Sequence, residues 1–145
     1  MAFRTLAKSV LLEPARAGVQ TRSYLAEQAI KQGQLVKAGP TNTDEVSPSD
    51  TDGERIVGVA LYDVAAGEPV DVVEAGALVR LTSGTGSISA GDPVASYGAS
   101  GEEGECDSAA SGDFVLGRAR RDDVGANADV EVVIQPEGQV YGGAP

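Results

Sequence analysis

The sequence predicts an all-β chain built as a tandem of two related β units, and three observations carry that prediction. Residues 55–74, RIVGVALYDVAAGEPVDVVE, read as strand, turn, strand. Ile56, Val57, Val59 and Leu61 lead in, Ala65-Ala66-Gly67-Glu68-Pro69 turns the chain, and Val70, Val72 and Val73 lead out. Dense β-branched residues bounded by Gly and Pro mark strands, because the branched side chains fit a pleated surface. The same grammar returns near the C-terminus. Gly58, Ala60 and Asp63 match Gly117, Ala119 and Asp122 at a spacing of 59, and Val70, Val72 and Val73 match Val130, Val132 and Val133 at 60. Upstream, Ile30-x-x-Gly33-x-x-Val36 matches Ile88-x-x-Gly91-x-x-Val94 at 58. Anchors at nearly constant spacing indicate repeated units, here over about 30–74 and 88–134.

In chain order, residues 1–23 stand apart. They carry Arg4, Lys8, Arg16 and Arg22 against Glu13 alone, whereas residues 24–145 hold seven basic and 21 acidic residues. A basic arm with Phe3, Leu6, Val10, Leu11 and Leu12 thus precedes an acidic body. Two readings stay open: a first strand docked on its own domain, or an arm that reaches to another subunit or a larger acidic surface. Residues 24–39 read as a turn feeding a strand from near Gln34, in step with a strand from near Pro93. Proline suits a strand's first position, where no ladder donor is lost.

Residues 40–54, PTNTDEVSPSDTDGE, read as a solvated acidic loop, and residues 97–112, YGASGEEGECDSAASG, as a second one at the matching place. The fragment from Asp50 to Glu54 resembles half a calcium loop. In an EF-hand register, however, Pro48 and Val59 fall where carboxylates are required. Residues 75–81 form a further strand, and 114–119 and 128–134 the last two. The tail, residues 137–145, is rich in Gly and Pro. Together residues 24–136 make one β domain.

Composition removes most chemistries. The chain has no His, no Trp and one Cys, so no His base and no Ser/His or Cys/His pair exists. Zinc would lack imidazole and have at most one thiolate. No Gly-Lys pair occurs, which excludes a Walker A loop. Cys106 lies among Glu102, Glu103, Glu105 and Asp107 without a base or a positive field, so it reads as an incidental thiol. The carboxylates read as exposed, without the apolar surroundings that raise a pKa. No enzymatic activity, cofactor, metal or catalytic residue is expected.

The net charge of −11 disfavours nucleic acid as a direct partner. Arg118, Arg120 and Arg121 sit beside Asp122 and Asp123, which suits ion pairing within an oligomer better than a phosphate patch. No apolar run approaches the roughly 20 residues of a membrane helix, and the start is too short and interrupted for a signal peptide. A soluble, unexported protein is expected. Eight Arg to three Lys with strong acidity fits either an ordinary acidic protein or one from high-salt cytoplasm, where molar salt screens self-repulsion.

The phrases IVGVALYDVAAGEPVDVVEAG and ISAGDPV, followed by a second L-G-x-A strand, resemble a family of small phage head decoration proteins, long labelled recombinase-like. The matching segments lie between about Ile30 and Ile134. The resemblance implies a compact β-barrel-like domain of the β-tulip type that trimerises on the outer surface of an icosahedral virion. It would bind the major capsid protein between capsomers and stiffen the shell, after assembly in the host cytoplasm. With that function, Phe3, Arg4, Leu6, Lys8, Val10, Leu11, Leu12 and Arg16 become the candidate capsid contacts. The acidity would then suit a virus of a salt-loving host. The alternative is a spike-like module that recognises a host receptor or glycan, although few aromatic residues are present to stack on sugars.

Overall fold

A computed structural model describes residues 20–39, 44–122 and 125–135, and among them every regular element is a strand. Ten strands follow one another. They are β1 (Gln20–Ala26), β2 (Leu35–Ala38), β3 (Glu45–Pro48), β4 (Gly58–Ala60) and β5 (Pro69–Ala75), then β6 (Leu78–Thr82), β7 (Pro93–Tyr97), β8 (Glu105–Ser108), β9 (Gly117–Ala119) and β10 (Asp129–Ile134). The first five close into a barrel in the order β1-β3-β2-β4-β5, and the last five form a sheet in the order β6-β10-β9-β7-β8.

These two orders are the same ring. Pairing β1 with β6 and so on to β5 with β10 turns one into the other. The sheet's remaining seam, β6 to β8, carries a parallel bridge between Ser83 and Cys106 where the barrel has the parallel β1–β3 pair. Backbone hydrogen bonds repeat accordingly. Gly33 N donates to Ala60 O at 2.9 Å, and Gly91 N to Ala119 O at 2.8 Å. Ser49 N bonds Leu35 O as Ala109 N bonds Pro93 O, and Gly67 N bonds Ala26 O as Asn127 N bonds Ser83 O. Side chains repeat too. Asp63 accepts from Gln32 N and Asp122 from Ala90 N, both at 2.7 Å. The anchors found in the sequence are thus the turn-forming parts of one unit used twice. Gly33 and Gly91 hold φ of 83° and 87°, a conformation that favours glycine.

Alternation fills each unit. In the first, Tyr24, Ala26, Ile30, Val36, Val46, Ala60, Val64, Val70 and Val72 form the interior cluster. Their neighbours Leu35, Val59 and Val73 therefore face outward, yet all three are fully buried because they join the second unit's core with Ala77, Val79, Leu116 and Ile134. Burying three such side chains contributes roughly 1.5–3 kcal/mol each. The outer face of the first unit is what welds the two together.

Three readings of the sequence are corrected. Residues 24–26 belong to a strand and not to a turn, and β1 starts at Gln20, so the last four residues grouped with the arm are sheet. Each acidic loop also contains a strand, β3 and β8, whose inward residues Val46 and Cys106 are fully buried. Cys106 is accordingly a small core residue.

Candidate functional site

The candidate contacts Phe3, Arg4, Leu6, Lys8, Val10, Leu11, Leu12 and Arg16 lie outside the described residues, as does the Gly/Pro-rich tail. Gln20 pairs with Ala75, so β1 begins at one end of the first barrel, next to the joint between the units. Arg22, Tyr24 and Glu74 line that end. The Tyr24 hydroxyl donates to Glu74 Oε2, and burial first, then the Glu74 carboxylate, holds the phenol above its ordinary pKa.

The acidic segment after β3 is docked on the second unit, while Asp50, Thr51 and Asp52 stay exposed to solvent. Lys37 Nζ lies 2.5 Å from Asp50 and 3.4 Å from Glu54. Glu54 Oε2 also accepts from the backbone N–H groups of Asp50 and Thr51, both at 2.8 Å. Its hydrogen bond from Lys37 draws the Asp50 carboxyl below the usual range. These bonds shape the turn so that it fits the second unit. Gly53 N donates to Ser96 O, Ser96 Oγ to Thr51 O, Gly98 N to Asp52 Oδ1, and Phe114 N to Gly53 O. The Arg55 guanidinium lies 4.7 Å from the Phe114 ring centroid. The carboxylates that resembled half a calcium loop serve as turn acceptors.

Glu105, at the start of β8, reads in the sequence as an exposed loop carboxylate. It borders a groove with Lys31, Gln34, Thr82 and Glu103. Its Oε1 is buried without a hydrogen-bond partner. Burial, then the charges of Glu102 and Glu103, push its pKa up from 4.5 to about 7. The folded state therefore holds a proton that the unfolded chain releases, so this group's contribution to stability is present below pH 4.5 and is lost as pH rises through about 7. Glu105→Gln is expected to raise the melting temperature at pH 8 and leave it unchanged near pH 4.5. Paired melts of both proteins test this, and an equal effect at the two pH values would contradict it.

The basic cluster is dispersed into separate contacts. Arg121 meets Glu131 at 3.2 Å, Arg118 Nη1 donates to Gly91 O, and Asp122 caps the Ala90 turn. Arg118 lies on the outside of the second unit, in one lateral row with Pro93 and Val133. Val133 is 41% exposed. That row was legible only as the repeat partner of Leu35, Val59 and Val73.

Among the described residues no group of three or more His, Cys, Asp or Glu side chains is arranged to hold a metal ion. What the described residues offer is a braced body whose two units share one core.

Comparison with known proteins agrees in kind. The fold resembles that of the N base of the head fiber of bacteriophage phi29, with a TM-score of 0.62 and 18% identity over 85% of this chain and 99% of that one. A search of curated proteins finds no match. Residues 15–134 match the family model described as phage cement protein. This chain belongs to the phage cement protein family and is a structural protein of the capsid exterior.

Proposed function

We propose that this protein binds between capsomers as an oligomer, a trimer, and reinforces an icosahedral head against the pressure of packaged DNA. Its direct partners are the major capsid protein and further copies of itself, with no contact to nucleic acid or membrane. The anchor is the segment before β1, through Phe3, Arg4, Leu6, Lys8, Val10, Leu11, Leu12 and Arg16. The match of residues 15–134 to the cement family carries this reading.

Physical features support it. A cement needs stiffness and many repeated contacts more than chemistry, because simultaneous engagement on a lattice multiplies modest affinities. The outward row Leu35, Val59 and Val73 locks the two units into one core. A basic, apolar arm ahead of an acidic body divides attraction from repulsion along the chain. Eight Arg, three Lys and a net charge of −11 suit a host with molar internal salt.

The test is heat release of packaged DNA from undecorated heads in molar salt, with and without saturating protein. DNA held to a higher temperature is the expected result. An unchanged release temperature on fully occupied heads would overturn the cement role and favour the receptor- or glycan-binding module.

A further inference from the structure

We propose that the lateral row Pro93–Arg118–Val133 on the second unit docks the Arg22–Glu74 end of the first barrel of another copy, giving a head-to-tail contact. The inference rests on the self-association proposed above and names its surface. It starts from the internal repeat. Leu35 pairs laterally with Val59 and Val59 with Val73. One unit on, Pro93 pairs with Arg118 and Arg118 with Val133.

In the first unit this row is fully buried, because it shares a core with Ala77, Val79, Leu116 and Ile134 at one end of the second unit. In the second unit the same row is open among the described residues. Arg118 is exposed, Pro93 is half-buried, and Val133 is one of the two large apolar residues exposed among those described. The molecule thus contains one occupied example of the contact and one free copy of its row.

The complementary end is also present. Ladder register carries Val79 back to Arg22 and Ile134 back to Glu74, since Val79–Val132 and Leu78–Val133 correspond to Arg22–Val72 and Thr21–Val73. Leu116 carries back to Val57, because Leu116 N bonds Val94 O as Val57 N bonds Val36 O. The internal contact sets Val59 in one core with Ile134. The free row has Arg118 in place of Val59, and the free end has Glu74 in place of Ile134. Arg22 stands there in place of Val79, so that end carries both signs, and Glu74 is the member that Arg118 can pair with.

Such a contact is heterologous, because each copy gives its second unit and receives on its first. Copies related this way close into a ring when the rotation per copy divides a full turn.

Sedimentation of the full chain at micromolar to millimolar concentration, without any capsid, tests the proposal. The wild type is expected to associate. Arg118→Glu should weaken association about a hundredfold or more, since like charges meeting across an interface are strongly unfavourable. Val133→Lys, at an exposed position, should act likewise. Adding Glu74→Arg to Arg118→Glu should restore association, with melting curves confirming folded proteins. Association that ignores both Arg118→Glu and Val133→Lys would overturn the surface while leaving the oligomer. A monomeric wild type would overturn both, whereas the heat-release experiment on heads would still report on cementing.

Discussion

Alanine at Gly58 or at Gly117 is expected to cost about 3 kcal/mol and lower the melting temperature by about 10 °C. Both glycines sit in the short fourth strand of their unit, where the chain presses on its neighbour. A Cβ at Gly58 would overlap Val73 O and the Val72 side chain, and one at Gly117 would overlap Val133 O. Val73 and Val133 are repeat partners, so one close approach is used twice. Neither glycine holds a positive φ, so the objection is space alone. A backbone carbonyl cannot swing aside as a side-chain tip can, and the ladder would have to part. Gly67→Asn is the control, since Gly67 has φ of 86° with nothing near its missing Cβ, and Asn tolerates that region. Thermal melts check all three. A loss at Gly58 or Gly117 no larger than at Gly67 would show that the close approach is not a constraint.

The same residues explain how much of the fold was legible. The sequence repeats Ile30-x-x-Gly33-x-x-Val36 and Gly58-x-Ala60 because these residues form turns and close approaches that few other types can form. Asp63 and Asp122 recur because each accepts from a backbone N–H across its unit. Such fixed requirements leave a periodic mark. β3 and β8 left none, because a four-residue strand with one fully buried inward side chain, Val46 or Cys106, gives no measurable alternation, and its outward acids resemble loop. β1 was hidden for a similar reason. From Thr21 to Ala26 only Tyr24 and Ala26 are buried.

The candidate site was legible in part. Charge asymmetry singles out the segment before β1, whose candidate contacts lie outside the described residues, and the place of Gln20 beside Ala75, with Arg22 and Glu74 near it, needed the β1–β5 register. Glu105 escaped because the groove it borders is shared with Gln34 and Thr82, distant in sequence. The docking of residues 49–55 onto the second unit is likewise a long-range event, written as acidic loop composition until its partners are seen.

The arm carries the second large effect. If Leu11 and Leu12 are buried on the capsid, replacing both with Ser removes roughly 1.5–3 kcal/mol each. At about 1.4 kcal/mol per decade this weakens each arm by a hundredfold or more. An oligomer compounds the loss, because every arm on it is weakened together. The body should be unaffected, since both leucines precede β1 and every described strand lies after them. A truncation that probes the same question must stop at residue 19, because removing Gln20 to Arg22 would strip three residues from the β1–β5 ladder.

Co-sedimentation with undecorated heads in molar salt is the most direct measurement, comparing the full chain, the Leu11→Ser/Leu12→Ser variant and a chain starting at Gln20. Saturable binding by the full chain, lost in both variants while their melting curves stay intact, is the predicted result. Binding that survives both changes would contradict the arm as anchor, and no saturable binding by the full chain would contradict the account of this protein as a capsid cement.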